Sequence, residues 1–224
     1  MSGSAATAPP RTAVADDPYA LALLNGGGPL YVRRSGGERL AVAVDRWCAA
    51  PDPADETLLE RCGDLTLDVG CGPGRLTSAL VRRGVLVLGL DIAPHAVART
   101  LADGGAALRR SVFDPLPAEG RWRTVLLADG NIGIGGDPGR LLDRCEQLLG
   151  SSGEVLVEVE AEDIQERFTA CFEDGEGASG PVFDWARAGA RAVRAWGESA
   201  RLTTVRRWER GGRHFLALRK GVQR

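Results

Sequence analysis

Through the middle of the chain, short apolar runs alternate with stretches in which apolar residues recur every three or four positions. Residues 65–69, 85–90, 122–128 and 154–160 are strand-length runs rich in valine and leucine. Between them, residues 75–83, 94–102 and 138–149 carry the helical spacing. The last of these opens on Asp137-Pro138, a capping acid followed by proline at the first helical position. Residues 107–113 make a weaker strand candidate that fills the remaining slot. Strands alternating with helices of this length predict right-handed βαβ units around a mostly parallel sheet. Near the carboxyl end the alternation breaks. Residues 186–196 read as helix, and 201–209 and 214–219 flank Gly211-Gly212 in the pattern of a hairpin.

Ahead of this core the pattern is different. Residues 1–17 are small, polar and proline-punctuated, with no repeat at either spacing, and predict a disordered tail. Residues 18–62 read as a helical cap: YALALLN running to Gly26-Gly27-Gly28, ERLAVAVDRWCAA running to Pro51, and 55–61 with Asp52 or Asp55 as a cap. The main domain is then expected over 63–224, with an insert at about 161–184 whose DGEGASG stretch (174–180) would be its mobile part.

A length of 224 residues suits one domain with an elaboration, and 44% apolar with 26% charged residues suits a globular chain with a sizeable core. The 28 basic and 30 acidic residues leave a net charge of -2, so no global field draws the chain to phosphate backbones or acidic lipid. Of the basic residues 27 are arginine, with Lys220 the single lysine, a bias typical of GC-rich genomes. Five cysteines without a C-x-x-C pair suggest neither a disulfide framework nor a zinc site, and no metal is expected. No apolar run approaches the roughly 18 to 20 residues of a membrane span, and the amino terminus lacks a signal-peptide pattern. A cytoplasmic protein without membrane association is the expectation.

The chemistry concentrates at Leu65-Thr-Leu-Asp-Val-Gly-Cys-Gly-Pro-Gly-Arg-Leu76. A strand delivers Asp68, and Gly70, Gly72 and Gly74 then form a turn in which missing side chains let a ligand approach the backbone before a helix begins. The dinucleotide fingerprint would require glycine where this chain has Arg75. A carboxylate beside the turn disfavours a pyrophosphate and suits an ammonium. Asp91, 21 residues after Gly70, closes the second strand, where an acid can accept both ribose hydroxyls. Asp114, in Phe-Asp-Pro-Leu-Pro after the weak third strand, can accept from an adenine amino group, with Phe113 or Ile92 against the purine. An amine, a ribose and an adenine together describe S-adenosylmethionine.

On these residues the sequence resembles the class I S-adenosylmethionine-dependent methyltransferases, in particular the bacterial enzymes that act on small molecules. The resemblance is carried by LDVGCGPGRL (67–76), LGLDIAPHAV (88–97), FDPLP (113–117), TVLLADGN (124–131) and GEVLVEVE (153–160), and it spans about residues 55–220. It implies an α/β fold, a Rossmann-like doubly wound seven-stranded sheet, mostly parallel with an antiparallel last strand. It also implies S-adenosyl-L-methionine as cofactor and S-adenosyl-L-homocysteine as product. Asp68, Gly70, Cys71, Gly72 and Gly74 would then border the methionine part, Asp91 and Ile92 the ribose, and Phe113 and Asp114 the adenine. Asp129, Gly130 and Asn131 would face the methyl donor.

Methyl transfer from a sulfonium is an in-line displacement, in which alignment and water exclusion supply much of the rate. Asp129 and Asn131 are the catalytic candidates by position, with Glu158 a further acid; His95 and His214 read as capping and packing residues. The loop lacks the [DN]-P-P-[YFW] sequence expected for an adenine-N6 or glutamine acceptor. Tyr19, Tyr31, Arg33 and Arg34 of the cap, with Phe168, Phe172 and Trp185 of the insert, are the candidate substrate residues of a lid over a flat or apolar molecule. The expected activity is methylation of a small-molecule acceptor in secondary metabolism, by a monomer or homodimer, with nucleic-acid acceptors disfavoured. The alternatives are a partner protein that keeps the cofactor site and an enzyme using the cofactor for other chemistry such as cyclisation. RNA or protein methylation ranks lower, and a nicotinamide oxidoreductase lower still.

Overall fold

The computed structural model describes residues 17–221. The expected tail, apart from Asp17, lies outside them.

Strands β3 (Leu65–Val69), β4 (Leu86–Asp91), β5 (Ala107–Arg109), β6 (Trp122–Leu127), β7 (Leu149–Val159), β10 (Leu202–Arg210) and β11 (Arg213–Lys220) form one sheet. Its order is β10-β11-β7-β6-β3-β4-β5. The pairs from β5 through β7 are parallel, and β11 runs antiparallel to both its neighbours. This is the Rossmann-like seven-stranded sheet with an antiparallel last strand.

Strand periodicity splits the core into two layers. Val125 and Leu127 of β6, Val155 and Val157 of β7 and Leu216 and Leu218 of β11 point to one face, under α6 (Pro138–Leu148) and α7 (Ala190–Ser199). The intervening Leu126, Leu156, Phe215 and Ala217 point to the other, under α3 (Pro53–Leu59) and α4 (Arg75–Arg82). Each fully buried side chain of this kind contributes roughly 1.5–3 kcal/mol relative to exposure. Helix α5 (Pro94–Ala102) follows β4 and packs on β4 and β5.

A second, antiparallel sheet of order β2-β1-β8-β9 joins two distant parts of the chain. Strands β1 (Leu30–Arg34) and β2 (Arg39–Ala41) come from the segment whose pattern predicts helices. Its helices are only α1 (Pro18–Leu24), α2 (Val44–Cys48) and α3. Strands β8 (Gln165–Asp174) and β9 (Ser179–Ala188) come from the insert. Helical propensity over 38–50 gives way because Gly36-Gly37 allows a tight turn and β1 gains a full partner in β8, from Leu30 opposite Asp174 to Arg34 opposite Ala170. The DGEGASG stretch is the hairpin turn between β8 and β9, closed by Asp174, whose carboxylate accepts from Glu176 N and Ala178 N at 2.9 Å. The expected helix 186–196 begins instead at Ala190, since Ala186–Ala188 complete β9. No helix among the described residues is long and apolar enough to cross a membrane.

Candidate active site

At the carboxyl end of β3 the turn runs through Gly70, Gly72 and Gly74 at φ +73°, +54° and +90°, left-handed values that a side chain would strain. A Cβ at Gly74 would also lie 2.7 Å from Thr100. Gly70 N and Cys71 N both donate to Leu90 O, at 2.8 and 2.9 Å, and tie the turn to the end of β4. Behind the turn Asp68 is 2% exposed and accepts from Thr77 Oγ1 at 2.7 Å. Burial pushes its carboxyl up to about 7 against the opposing Thr77 bond, and the charges of Asp129 and Asp91 add to the rise.

Asp91 ends β4 with its two oxygens accepting from Gly72 N at 2.9 Å and Ala93 N at 2.8 Å. Burial raises its pKa, and these backbone bonds oppose the rise. A carboxylate accepts about four hydrogen bonds, so acceptor capacity remains for a diol. Beside it Ile92 is 69% exposed, an apolar surface at the rim of the turn. Phe113 is half-buried, with the Arg140 guanidinium 4.3 Å over its ring. Asp114 is exposed and accepts from Ser111 N at 3.2 Å, closing the turn after β5.

The exit of β6 is held by charge. Asp129 has a left-handed φ of +56°, and its N–H donates to Glu158 Oε2 at 2.7 Å. Its carboxylate meets Arg46 Nη2 at 2.7 Å, Arg213 Nη2 at 3.4 Å and the guanidinium of Arg75. Arg75 also pairs with fully buried Asp55, and Arg213 reaches Asp55 at 2.8 Å and Glu158 at 2.7 Å. Both oxygens of the catalytic candidate Asp129 are therefore engaged by guanidinium groups, and they organise the loop. Asn131 Nδ2 donates to Val69 O at 2.8 Å and Gly70 O at 2.9 Å, clamping this loop to the glycine turn through Gly130. Arg46, which no motif marks, brings a second feature: its Nη1 is buried without a partner among the described residues.

Residues 67–157 match the family model for a methyltransferase domain. Ubiquinone biosynthesis O-methyltransferases from two strains of Cereibacter sphaeroides are 32% and 33% identical to the chain over 124 and 121 residues. These alignments cover 53% and 52% of this chain, which spans about half the length of those curated relatives, 47% and 46%. Among solved structures, a SAM-dependent methyltransferase from Bacteroides fragilis in complex with S-adenosyl-L-homocysteine superposes with a TM-score of 0.79 at 19% identity, covering 93% of this chain and 97% of that one. A sugar N-methyltransferase from Streptoalloteichus gives 0.58 at 15% identity over 99% and 98%. Residues 67–157 thus match a methyltransferase domain, and the fold is the one those S-adenosylmethionine-dependent methyltransferases share. S-adenosylmethionine is the cofactor of the matched methyltransferases, and the turn fits it: a cradle free of side chains, a strand-end carboxylate with spare acceptor capacity, and a guanidinium N–H of Arg46 without a partner among the described residues.

One face of the second sheet is aromatic. In register, Phe168 lies opposite Trp185 and Ala170 opposite Phe183, so these side chains share a face. Tyr19 stacks on Phe172 at 4.9 Å, Phe172 lies 5.0 Å from Phe183, and Phe183 lies 5.8 Å from Trp185. The Tyr19 hydroxyl reaches the turn, 3.6 Å from where a Cβ on Gly72 would sit, and burial raises its pKa well above the ordinary value. Trp185 lies against the 3₁₀ segment Asn131–Gly136: a Cβ at Gly133 would fall 2.2 Å from Ala186 O and 2.7 Å from Trp185 Nε1. The glycines of that loop thus serve close packing on β9.

The structure brings together Tyr19, Phe172 and Trp185, and adds Phe183 and Trp47. It does not bring Tyr31 and Arg33 to them. Those two pair with Glu173 and Cys171 and lie on the opposite face, where Arg39 sits 4.1 Å over the Tyr31 ring and Arg33 pairs with Glu173 at 2.5 Å. Phe168 is on the aromatic face but covered by the Arg34 guanidinium at 4.1 Å. His214 sits within β11 opposite Val159, and His95 lies in the first turn of α5.

Proposed function

We propose that this chain transfers a methyl group from S-adenosylmethionine to a flat or apolar small molecule held between the glycine turn and the aromatic face of the second sheet. The observation that carries the reading is the convergence of Tyr19 from α1, Phe172 and Phe183 from the insert, and the Gly70–Gly74 turn on one end of the main sheet. The sulfonium of the cofactor supplies an activated methyl group. Asp91 would hold the ribose hydroxyls, and Asp68, with the glycine backbone, the ammonium end. Ile92 and Phe113 would flank the purine, with Asp114 at its edge. Arg46 would take the carboxylate of the methionine part through its unpartnered Nη1. Asn131 and the ion cluster around Asp129 hold the β6 exit in place, and the rings exclude water, which leaves alignment as the main source of rate.

Residues 18–62 and the 161–184 segment, which together build the second sheet, act in this reading as the acceptor-binding cap on the cofactor domain. We place the acceptor in secondary metabolism; proteins of the same fold include a sugar N-methyltransferase and a 1,6-didemethyltoxoflavin-N1-methyltransferase from Burkholderia thailandensis, both named for small molecules. The test is formation of S-adenosylhomocysteine by the purified protein with panels of planar phenols, N-heterocycles and amino sugars, beside tRNA and protein controls. Turnover with a small molecule, lost in Phe172→Ala, is expected; methylation of the macromolecular controls alone would contradict it.

A further inference from the structure

A cleft of about 260 Å³ opens between the end of α2, the amino end of α4 and the outer side of α5. It shares only Pro73 and Gly74 with the glycine turn and contains neither Asp68 nor Asp91, so it is separate from the cofactor cradle. Its lining residues carry an unusual set of unmet polar atoms. Among the buried side-chain nitrogen and oxygen atoms without a hydrogen bond in the described residues, three, Trp47 Nε1, Arg75 Nε and Ser78 Oγ, belong to this cleft. Arg75 and Ser78 are 7% and 4% exposed. Buried polar groups are ordinarily satisfied, because each orphan costs about 1–3 kcal/mol, so three around one cavity call for an acceptor from outside the chain.

The charge has the matching sign. Arg75, Arg82 and Arg99 line the cleft with one acid, Asp103, which faces Arg99 at 3.8 Å; the terminal nitrogens of Arg75 are held by Asp55 and Asp129, which leaves its Nε and the Arg82 guanidinium for a ligand. Arg82 has no acidic partner among the described residues. Helix α4 starts at Gly74 without a capping side chain, and its first turn places Arg75 and Ser78 in the lining of the cleft. We infer that this cleft is a second ligand site, which binds the oxyanion of a small metabolite, a phosphate ester or a carboxylate, independently of the methyl donor.

Calorimetric titration of the whole protein with inorganic phosphate and with malonate, at constant ionic strength, tests this. Saturable binding of either anion at one site is expected, unchanged in protein saturated with S-adenosylhomocysteine; the tighter of the two anions identifies the source. Arg82→Ala and Ser78→Ala should each weaken it by roughly tenfold, the effect of one charge-assisted hydrogen bond. Because Ser78→Ala removes an unpartnered buried hydroxyl, its melting temperature without anion should equal or exceed that of the parent. Absence of saturable binding, competition by S-adenosylhomocysteine, parent-like affinity in both variants, or a lower melting point for Ser78→Ala would each overturn the assignment.

Discussion

Asp68 and Asp91 end neighbouring strands, yet the backbone treats them differently. Asp91 is stabilised as an anion by two N–H donors, Gly72 of the turn and Ala93 just beyond the strand, whereas Asp68 is held by Thr77 alone, through its hydroxyl and its backbone N–H, and is buried. Asp91→Ala should therefore remove both turn support and ribose contacts, weakening S-adenosylhomocysteine binding by about 1.5–3 kcal/mol in calorimetry; unchanged affinity would remove the ribose assignment. Asp68 titrates near 7 in the folded chain and near 4 when unfolded, so the folded state holds an extra proton between these values. Its contribution to stability is fully present below about pH 4 and is lost as pH rises towards 7. A cofactor ammonium favours the ionised carboxylate, so affinity should rise as pH climbs through about 7, with proton release at pH 6–7 in Asp68 protein and none in Asp68→Asn. Equal proton release in the two would contradict this placement. These two acids and the glycines were legible in the sequence because strand, acid, turn and helix are contiguous. Arg46, Trp47 and Phe183 were not, since Arg46 gains its place by meeting Asp129 at the far-off exit of β6, and Trp47 and Phe183 by meeting Tyr19 and Phe172 once the second sheet has formed.

The β8–β9 hairpin shows why element type was harder to read than element position. Gln-Glu-Arg-Phe-Thr-Ala-Cys-Phe carries the period-two alternation of a strand with Phe168, Ala170 and Phe172 inward, but it belongs to no βαβ unit and its partner, β1, lies far upstream. The parallel strands of the main sheet were legible because apolar runs such as Leu86–Leu88, Val125–Leu127 and Val155–Val157 mark them and helices follow β3, β4 and β6. Two predictions belong to this scale. Gly133→Ala would drive a methyl group into Ala186 O and displace β9, costing about 1–3 kcal/mol of stability and raising the KM for acceptor more than the Kd for S-adenosylhomocysteine. Parent-like values of both would show that the loop is free to move. Arg75→Met would leave Asp55 with Arg213 as its remaining cation and should cost about 3 kcal/mol in denaturant unfolding, although a loss below 1 kcal/mol would mean that Arg213 suffices.

On the scale of the whole molecule, the proposed function has the two sheets divide the work. The seven-stranded sheet fixes the cofactor cradle through contiguous motifs, and the four-stranded sheet, assembled from residues 30–41 and 165–188, sets an aromatic face over it. Buried charge joins them: Arg46 of α2 reaches Asp129 at the exit of β6, so the amino-terminal segment is tied to the strand ends where transfer would occur. The account rests on that cradle being a site for S-adenosylmethionine. Its most direct test is parallel calorimetric titration of the purified protein with S-adenosylmethionine, S-adenosylhomocysteine and NAD. Binding of both sulfur ligands at one site per chain, with no heat from NAD, is the predicted result; binding of NAD, or of none of the three, would contradict it.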